Sequence, residues 1–317
     1  MPLRIIFCGT PAFSLPSLKK LLADPQFSVE AVITQPDQPA GRGKKDTSSP
    51  VKSAALAGGV QVYQPEKIKS LEAAEFLKHI APDAAVIIAY GQIIPRALLD
   101  IPRLGWINLH ASLLPRYRGA APIQRAILNG DTRTGLTTMK IDAGLDTGPI
   151  LEQLEVAIGA DETAPQLMAR MGEAGAPLLI HTLQKLSSGE LEPKAQDPAR
   201  ATFAPPIKKE EGLIDWAKPA SEIYSRIRAF DPWPGTYSQF RGRLCHISGC
   251  PADRVESPSA SAAQEPGTII ENHGEILVAC GEGTWLRVAH VHLEGRKRVT
   301  AREFANGARI SSGERFT

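Results

Sequence analysis

The feature that most constrains this chain is a rhythm in its first half, where short apolar runs alternate with amphipathic stretches. The runs cover Arg4 to Cys8, Val29 to Thr34, Gln61 to Tyr63, Ala84 to Ala89 and Trp106 to His110. Between the first two, Leu15, Leu18, Leu21 and Leu22 fall on one helical stripe, and residues 67 to 80 and 163 to 187 repeat that period. Strands separated by helices are the sequence signature of a parallel sheet with crossover helices. The rhythm therefore predicts an α/β domain over residues 1–189, a doubly wound, mainly parallel sheet of Rossmann-like form.

The rhythm breaks between Glu190 and Pro206, where four prolines disfavour both a helix interior and a central strand. Residues 190–206 read as a semi-rigid linker. Beyond it comes one helix, Ser221 to Phe230, with Ser221 as N-cap and Ile223, Ile227 and Phe230 on a common face. Five short strands follow, at Thr236 to Phe240, Leu244 to Ser248, Thr268 to Ile270, Ile276 to Ala279 and Trp285 to Leu293. They predict a small OB-like β-barrel over residues 207–317. The stretch Pro251 to Pro266, rich in Ala, Ser and Pro, reads as a mobile loop inside that barrel.

Composition removes other classes. With 317 residues, 43% hydrophobic and 22% charged, the chain is globular and long enough for two cores. No apolar run approaches the roughly 18 residues that a membrane span needs. Met1 to Phe7 leads straight into the first strand without the segments of a signal peptide, so secretion is not expected. Cys8, Cys245, Cys250 and Cys280 form no CxxC pair and read as reduced thiols of a cytoplasmic protein. Net charge is only +2, so a nucleic-acid partner would have to be held by local patches.

Few segments can carry chemistry. The first strand ends in Gly9, where a dinucleotide fold would place G-x-G-x-x-G, but the second and third glycines are absent, which argues against a nicotinamide cofactor. In Gly105 to Pro115, strand alternation puts Asn108 and His110 on one side and Ile107 and Leu109 on the other. That polar pair sits at a strand's carboxyl end, where open α/β sheets bind ligands. In the glycine-punctuated loop Lys140 to Gly148, either Asp142 or Asp146 could reach back to His110, and spacing does not choose between them. A loop from Gln35 to Pro50 carries Arg42, Lys44 and Lys45 beside two glycines, a pattern suited to phosphate or to plain solvent. Arg296, Lys297 and Arg298 form a second basic cluster of equally open meaning. His290 and His292 share a strand face but lack a third ligand, so no metal is expected. Trp216, Trp233 and Trp285 read as barrel core.

Six segments together resemble the methionyl-tRNA formyltransferases, within the wider family of 10-formyltetrahydrofolate-dependent transferases. They are Arg4 to Pro11, Thr34 to Lys45, Ala89 to Gly91, Asn108 to Gln124, Gly144 to Gly148 and Arg228 to Gly235, and the likeness runs over essentially the full chain. The resemblance implies a catalytic trio of Asn108, His110 and Asp146, favouring Asp146 over Asp142. It implies folate contacts at Ile88, Ala89, Tyr90 and Gly91 and at Ser112, Leu113, Leu114 and Pro115. It implies 10-formyltetrahydrofolate as formyl donor, no metal, and a monomer acting on initiator methionyl-tRNA. Arg42 would enter near the terminal base pair, with Lys44 and Lys45 on phosphates and the OB-like domain holding the tRNA. Ala111 departs from the glycine of many relatives, a change of one methyl. A formyltransferase acting on an amino-sugar nucleotide, or a formyltetrahydrofolate hydrolase, would share the trio and the second domain; the basic loop separates this chain from both.

Overall fold

A computed structural model describes residues 1–40, 45–252, 264–272, 274–311 and 313–317. In chain order its strands are β1 (Leu3–Gly9), β2 (Phe27–Ile33), β3 (Gln38–Ala40), β4 (Lys45–Thr47), β5 (Val62–Tyr63), β6 (Ala84–Ile88), β7 (Trp106–His110), β8 (Arg133–Lys140), β9 (Ile150–Ala157), β10 (Tyr237–Phe240), β11 (Arg243–Pro251), β12 (Ile269–Asn272), β13 (Glu275–Ala279), β14 (Trp285–Leu293) and β15 (Val299–Thr300). Its helices are α1 (Leu15–Ala23), α2 (Pro50–Ala57), α3 (Leu71–Ile80), α4 (Arg96–Leu99), α5 (Pro122–Leu128), α6 (Ala164–Ser188), α7 (Ala220–Ala229) and α8 (Ala301–Ala308). The chain divides into two compact units, one of residues 1–122, 133–157 and 166–205, the other of residues 123–132, 158–165 and 206–317. Among the described residues no helix is long and apolar enough to cross a membrane.

The first unit is a mainly parallel seven-stranded sheet in the order β5-β2-β1-β6-β7-β8-β9. β6 is buried along its whole length, as a strand covered on both faces must be. Ser49 and Ser70 cap α2 and α3 by accepting the backbone N–H of Lys52 and Ala73. From β1 the chain runs outward through β2 to β5, then returns to the other side of β1 for β6 and β7. That reversal opens a crevice at the carboxyl ends of β1 and β6. β7 lies between β6, parallel to it, and β8, antiparallel to it. The β8–β9 pair extends the sheet antiparallel, and the apolar rhythm does not announce it, because Glu152, Gln153 and Glu155 interrupt β9. Beneath β7, α6 crosses at Gly175, where an added Cβ would lie 2.6 Å from Leu109 Cδ2. Among the described residues β3 and β4 join neither large sheet and pair with each other. The proline-rich stretch expected as a linker is sewn to this unit as far as Pro205, with Lys194 bridged to Ile150 and Phe203 to Arg118.

The second unit is an antiparallel sheet in the order β10-β11-β14-β13-β12, with β15 on β14. The C-terminal residues close it on itself: Phe316 bridges Phe240 of β10, and Arg315 bridges Thr268 just before β12. Gln239 and Thr317 exchange both backbone hydrogen bonds along that seam. Inside lie Ile223, Ile247, Leu286, Val288, Phe304 and Phe316. The two pieces from earlier in the sequence are held by side chains of this unit. Arg125 donates to both carboxylate oxygens of Glu211 at 2.5 and 3.0 Å, Tyr224 donates to Asp161 at 2.8 Å, and Arg228 donates to the carbonyls of Gly159 and Glu162.

Two sequence expectations need correction here. α7 begins at Ala220 with Pro219 as its N-cap, and Ser221 lies in its first turn, because proline starts a helix without needing a donor. Trp216 is buried against Phe316, with ring centroids 5.8 Å apart, but Trp233 is 59% exposed. Pro232 and Pro234 flank it, and a residue so bracketed cannot enter the ladder of β10. Most of the expected mobile loop, residues 253–263, lies outside the described residues.

Candidate active site

β7 delivers Asn108 and His110 to one face of the sheet, two residues apart, while Leu109 between them packs toward α6. Asn108 lies opposite Ile87 of β6 and Met139 of β8, so its main chain is fixed on both flanks. His110 is buried, and its Nε2 lies 2.9 Å from the carbonyl oxygen of Tyr117. A carbonyl only accepts, so Nε2 carries the proton and the neutral ring presents its lone pair at Nδ1. Nδ1 faces Asp146 Oδ2 at 3.7 Å, too long for a direct hydrogen bond and short enough for strong attraction once the ring is charged.

Asp146 is itself held from several sides. Its Oδ2 accepts the backbone N–H of Gly119 at 2.8 Å. Gln196 donates to the carbonyls of Asp146 and Gly148 at 2.8 and 2.7 Å, and Arg118 in turn donates to Gln196 Oε1 at 3.1 and 2.7 Å. Asp142 does something else: its Oδ1 accepts from Gly144 N at 3.0 Å and Thr147 Oγ1 at 2.6 Å, capping its own loop. The structure thus brings Asp146, not Asp142, to His110.

Backbone conformation marks the same place. Of the seven non-glycine residues with positive φ among the described residues, Tyr117 at 59° and Asp146 at 51° are the two that face His110, and Ala89 at 48° lies in the turn after β6. Left-handed backbone in such residues costs of order 1 kcal/mol each and persists where the surroundings over-determine it. Gly119, at φ 117°, brings its N–H to Asp146 where an added Cβ would lie 2.9 Å from the Ala204 carbonyl oxygen.

The two turns expected to meet folate follow adjacent parallel strands. Ala89 and Gly91 are exposed, Ile93 just beyond is 87% exposed, and the buried Tyr90 turns its carbonyl to Thr10 Oγ1 and Gln35 Nε2. Burial pushes the Tyr90 phenol far above its usual range. In the other turn, Ser112 is fully buried and donates to the Arg116 carbonyl, Thr137 donates to the Ser112 carbonyl and accepts from Leu114 N, and Gln153 donates to the Leu114 carbonyl. Its polar groups hold the turn rigid, and Leu113 and Pro115 remain partly exposed as an apolar edge. Arg42 and Lys44 lie outside the described residues; Lys45 opens β4, with its side chain outside the description too.

In the second unit, His292 stacks on His246 with centroids 6.0 Å apart. Among the described residues no three His, Cys, Asp or Glu side chains group as a metal site would require. Burial lifts the thiols of Cys245 and Cys280 to about 12 and that of Cys8 higher still, so these three are inert.

Sequence reasoning passed over Tyr117, Gly119, Thr137, Gln153 and Gln196. Tyr117 and Gly119 act through main-chain atoms, for which side-chain identity gives no signal beyond the glycine in Arg118-Gly119. Gln196 is hidden in the proline-rich stretch.

The formyl transferase family model matches residues 3–183, and the formyl transferase C-terminal domain model matches residues 206–309. A curated relative, the methionyl-tRNA formyltransferase of Solibacter usitatus, is 49% identical over 314 residues, 99% of this chain and 98% of that one. The solved methionyl-tRNA formyltransferase of Clostridium thermocellum superposes with a TM-score of 0.55 at 17% identity, over 92% of this chain and 98% of that one. An N-formyltransferase of Helicobacter canadensis, solved with folinic acid and dTDP-3-aminofucose, superposes with a TM-score of 0.63 at 20% identity, over 91% and 99%. The chain belongs to the formyl transferase family.

Proposed function

We propose that this protein transfers the formyl group of 10-formyltetrahydrofolate to the α-amino group of methionine on initiator methionyl-tRNA. The observation that carries the proposal is His110 Nδ1 facing the Asp146 carboxylate at 3.7 Å, on the strand that also bears Asn108, in a chain nearly half identical to methionyl-tRNA formyltransferases from end to end. The partly exposed turns after β6 and β7, with Ala89, Gly91, Leu113 and Pro115 on their open side, suit a flat pterin ring at the crevice. When bound there, the folate supplies an activated formyl group on nitrogen.

Each residue of the trio has a part that its geometry supports. Asn108, whose side chain makes no hydrogen bond to the described residues, donates its amide N–H to the formyl oxygen as negative charge builds there. His110 takes a proton from the attacking amine at Nδ1 and returns it to the departing folate nitrogen, so one C–N bond forms, one breaks and the proton is conserved. Asp146 stabilises the imidazolium between those two events. Tyr117 keeps the other ring nitrogen protonated and thereby fixes which nitrogen works. Arg42, Lys44 and Lys45 bind the acceptor end of the tRNA, and the barrel of the second unit, a type that commonly holds nucleic acid, binds its stem. The test is incubation with 10-formyltetrahydrofolate and charged initiator tRNA, with an amino-sugar nucleotide as the competing acceptor. N-formylmethionyl-tRNA is the expected product; formylation of the sugar alone would replace this reading.

A further inference from the structure

We propose that Asp37, Lys52 and Gln64 form a clasp across the root of the β3–β4 hairpin and act as positioning residues for the stretch of sequence that carries Arg42, Lys44 and Lys45, a role that rests on the tRNA reading above.

The hairpin needs such a device. Among the described residues it pairs at three positions, Gln38 with Thr47, Pro39 with Asp46 and Ala40 with Lys45, and belongs to no larger sheet. An isolated two-stranded ribbon is marginal in water, so its direction has to be set where its two ends are rooted. The incoming end leaves β2 at Thr34, Gln35 and Asp37; the outgoing end enters α2 at Ser49 and Lys52.

Those ends are tied to each other. Lys52 Nζ lies 2.6 Å from Asp37 Oδ2, with side chains 20% and 27% exposed. Gln64 donates to the second carboxylate oxygen of Asp37 and to the Gln35 carbonyl, both at 2.9 Å. Below them, the hydroxyls of Thr34 and Ser49 meet at 2.9 Å. Bonding to Lys52 and Gln64 holds the Asp37 carboxyl below the usual carboxylate range, so the clasp is charged at neutral pH. Gln35 continues the connection to the Tyr90 carbonyl in the turn after β6. A surface pair of this kind adds little to global stability, but here it spans the base of a lever. Three paired positions reach about 10 Å, so a swing of roughly 15° at the root displaces the far end by about 3 Å. Displacements of that size cost tenfold or more when a contact has to be in place for reaction.

The test compares the full-length protein with Lys52→Met. The expected result is a KM for initiator methionyl-tRNA raised about tenfold, with kcat, the tetrahydrofolate Kd and the Tm little changed. The double exchange Asp37→Lys with Lys52→Asp restores the KM to within about threefold, because it rebuilds the ion pair with its ends reversed; either exchange alone does not. Trypsin cleavage after Arg42, Lys44 or Lys45, measured without tRNA, rises severalfold in Lys52→Met. An unchanged KM and cleavage rate would overturn the clasp, as would equal losses in folate affinity and Tm, which mark a merely structural pair. If the wild-type protein formylates no methionyl-tRNA, the tRNA role falls with the proposed function, and the cleavage rate alone decides whether the clasp holds the hairpin.

Discussion

Within the first unit, the strand bearing Asn108 and His110 and the hairpin bearing the basic run are supported by different means. β7 is hydrogen-bonded to β6 and β8 along both edges and backed by α6 at Gly175. The β3–β4 hairpin pairs with itself and is steered through side chains at its root. The difference suits the roles proposed for each: proton transfer demands groups fixed to a fraction of an ångström, which a sheet interior supplies, whereas a contact with a long RNA is set by a side-chain tie at the root of a ribbon.

The strongest attack on that contrast is aimed at β7. Asn108→Ala or His110→Ala should lower kcat by about two to three orders of magnitude with the Tm nearly unchanged, the usual scale for losing one aimed donor. Wild-type turnover in either folded variant would dissolve the distinction between the two regions. Next in size, Asp146→Asn should lower kcat by about two orders of magnitude, since it removes the charge facing His110, while Asp142→Asn, which keeps the loop-capping acceptor, should lie within about fivefold of wild type. Rapid-quench single turnovers of both variants check this, and the reverse order would move the carboxylate role to Asp142. Arg42→Ala should then lower kcat/KM for initiator tRNA about tenfold or more without altering folate affinity, and Arg42→Lys should recover only part, because a lysine ammonium lacks the rigid planar fork of the guanidinium. A value within about twofold of wild type would detach the hairpin from recognition.

The smallest effect concerns an ion pair with no part in either task. Bonding to Arg125 lowers the Glu211 carboxyl below its ordinary value, the remaining influences being burial, which raises it, and the Lys208 N–H and the charges of Arg125 and Arg226, which lower it. The depressed folded value means that the stabilisation is complete above the unfolded value of 4.5 and is lost as pH falls through the folded one, where the unfolded chain takes up the proton first. The unfolding free energy from urea titrations should therefore drop between pH 7 and pH 4 by more in the wild type than in Glu211→Gln, by about 1 kcal/mol. Turnover at neutral pH should stay level in that variant.

Much of the catalytic region was legible before the structure because period-2 alternation alone puts Asn108 and His110 on one face. Asp146 was legible only through the family resemblance, since two carboxylates in one glycine-rich loop look alike until the backbone shows Asp142 turned onto its own loop and Asp146 at φ 51°. Tyr117 and Gly119 stayed hidden because a carbonyl and an amide are common to all residues. β9 gives no clear signal where three polar residues interrupt it, and the exposure of Trp233 goes against the general tendency of tryptophan to fill a small barrel's core.

The seam that closes the barrel has a consequence for how the second unit comes to exist. It joins Ser238 to Thr317 across 79 positions and Arg241 to Glu314 across 73. Drawing such distant segments together carries an entropic cost of about 4 kcal/mol that only late contacts repay, so the seam forms slowly compared with the hairpins around it. Until it forms, β10 and β12 present open edges on which another unfinished chain can add a strand. Glu314 to Thr317, outside the proposed active-site set, thus supply the pairing that covers those edges.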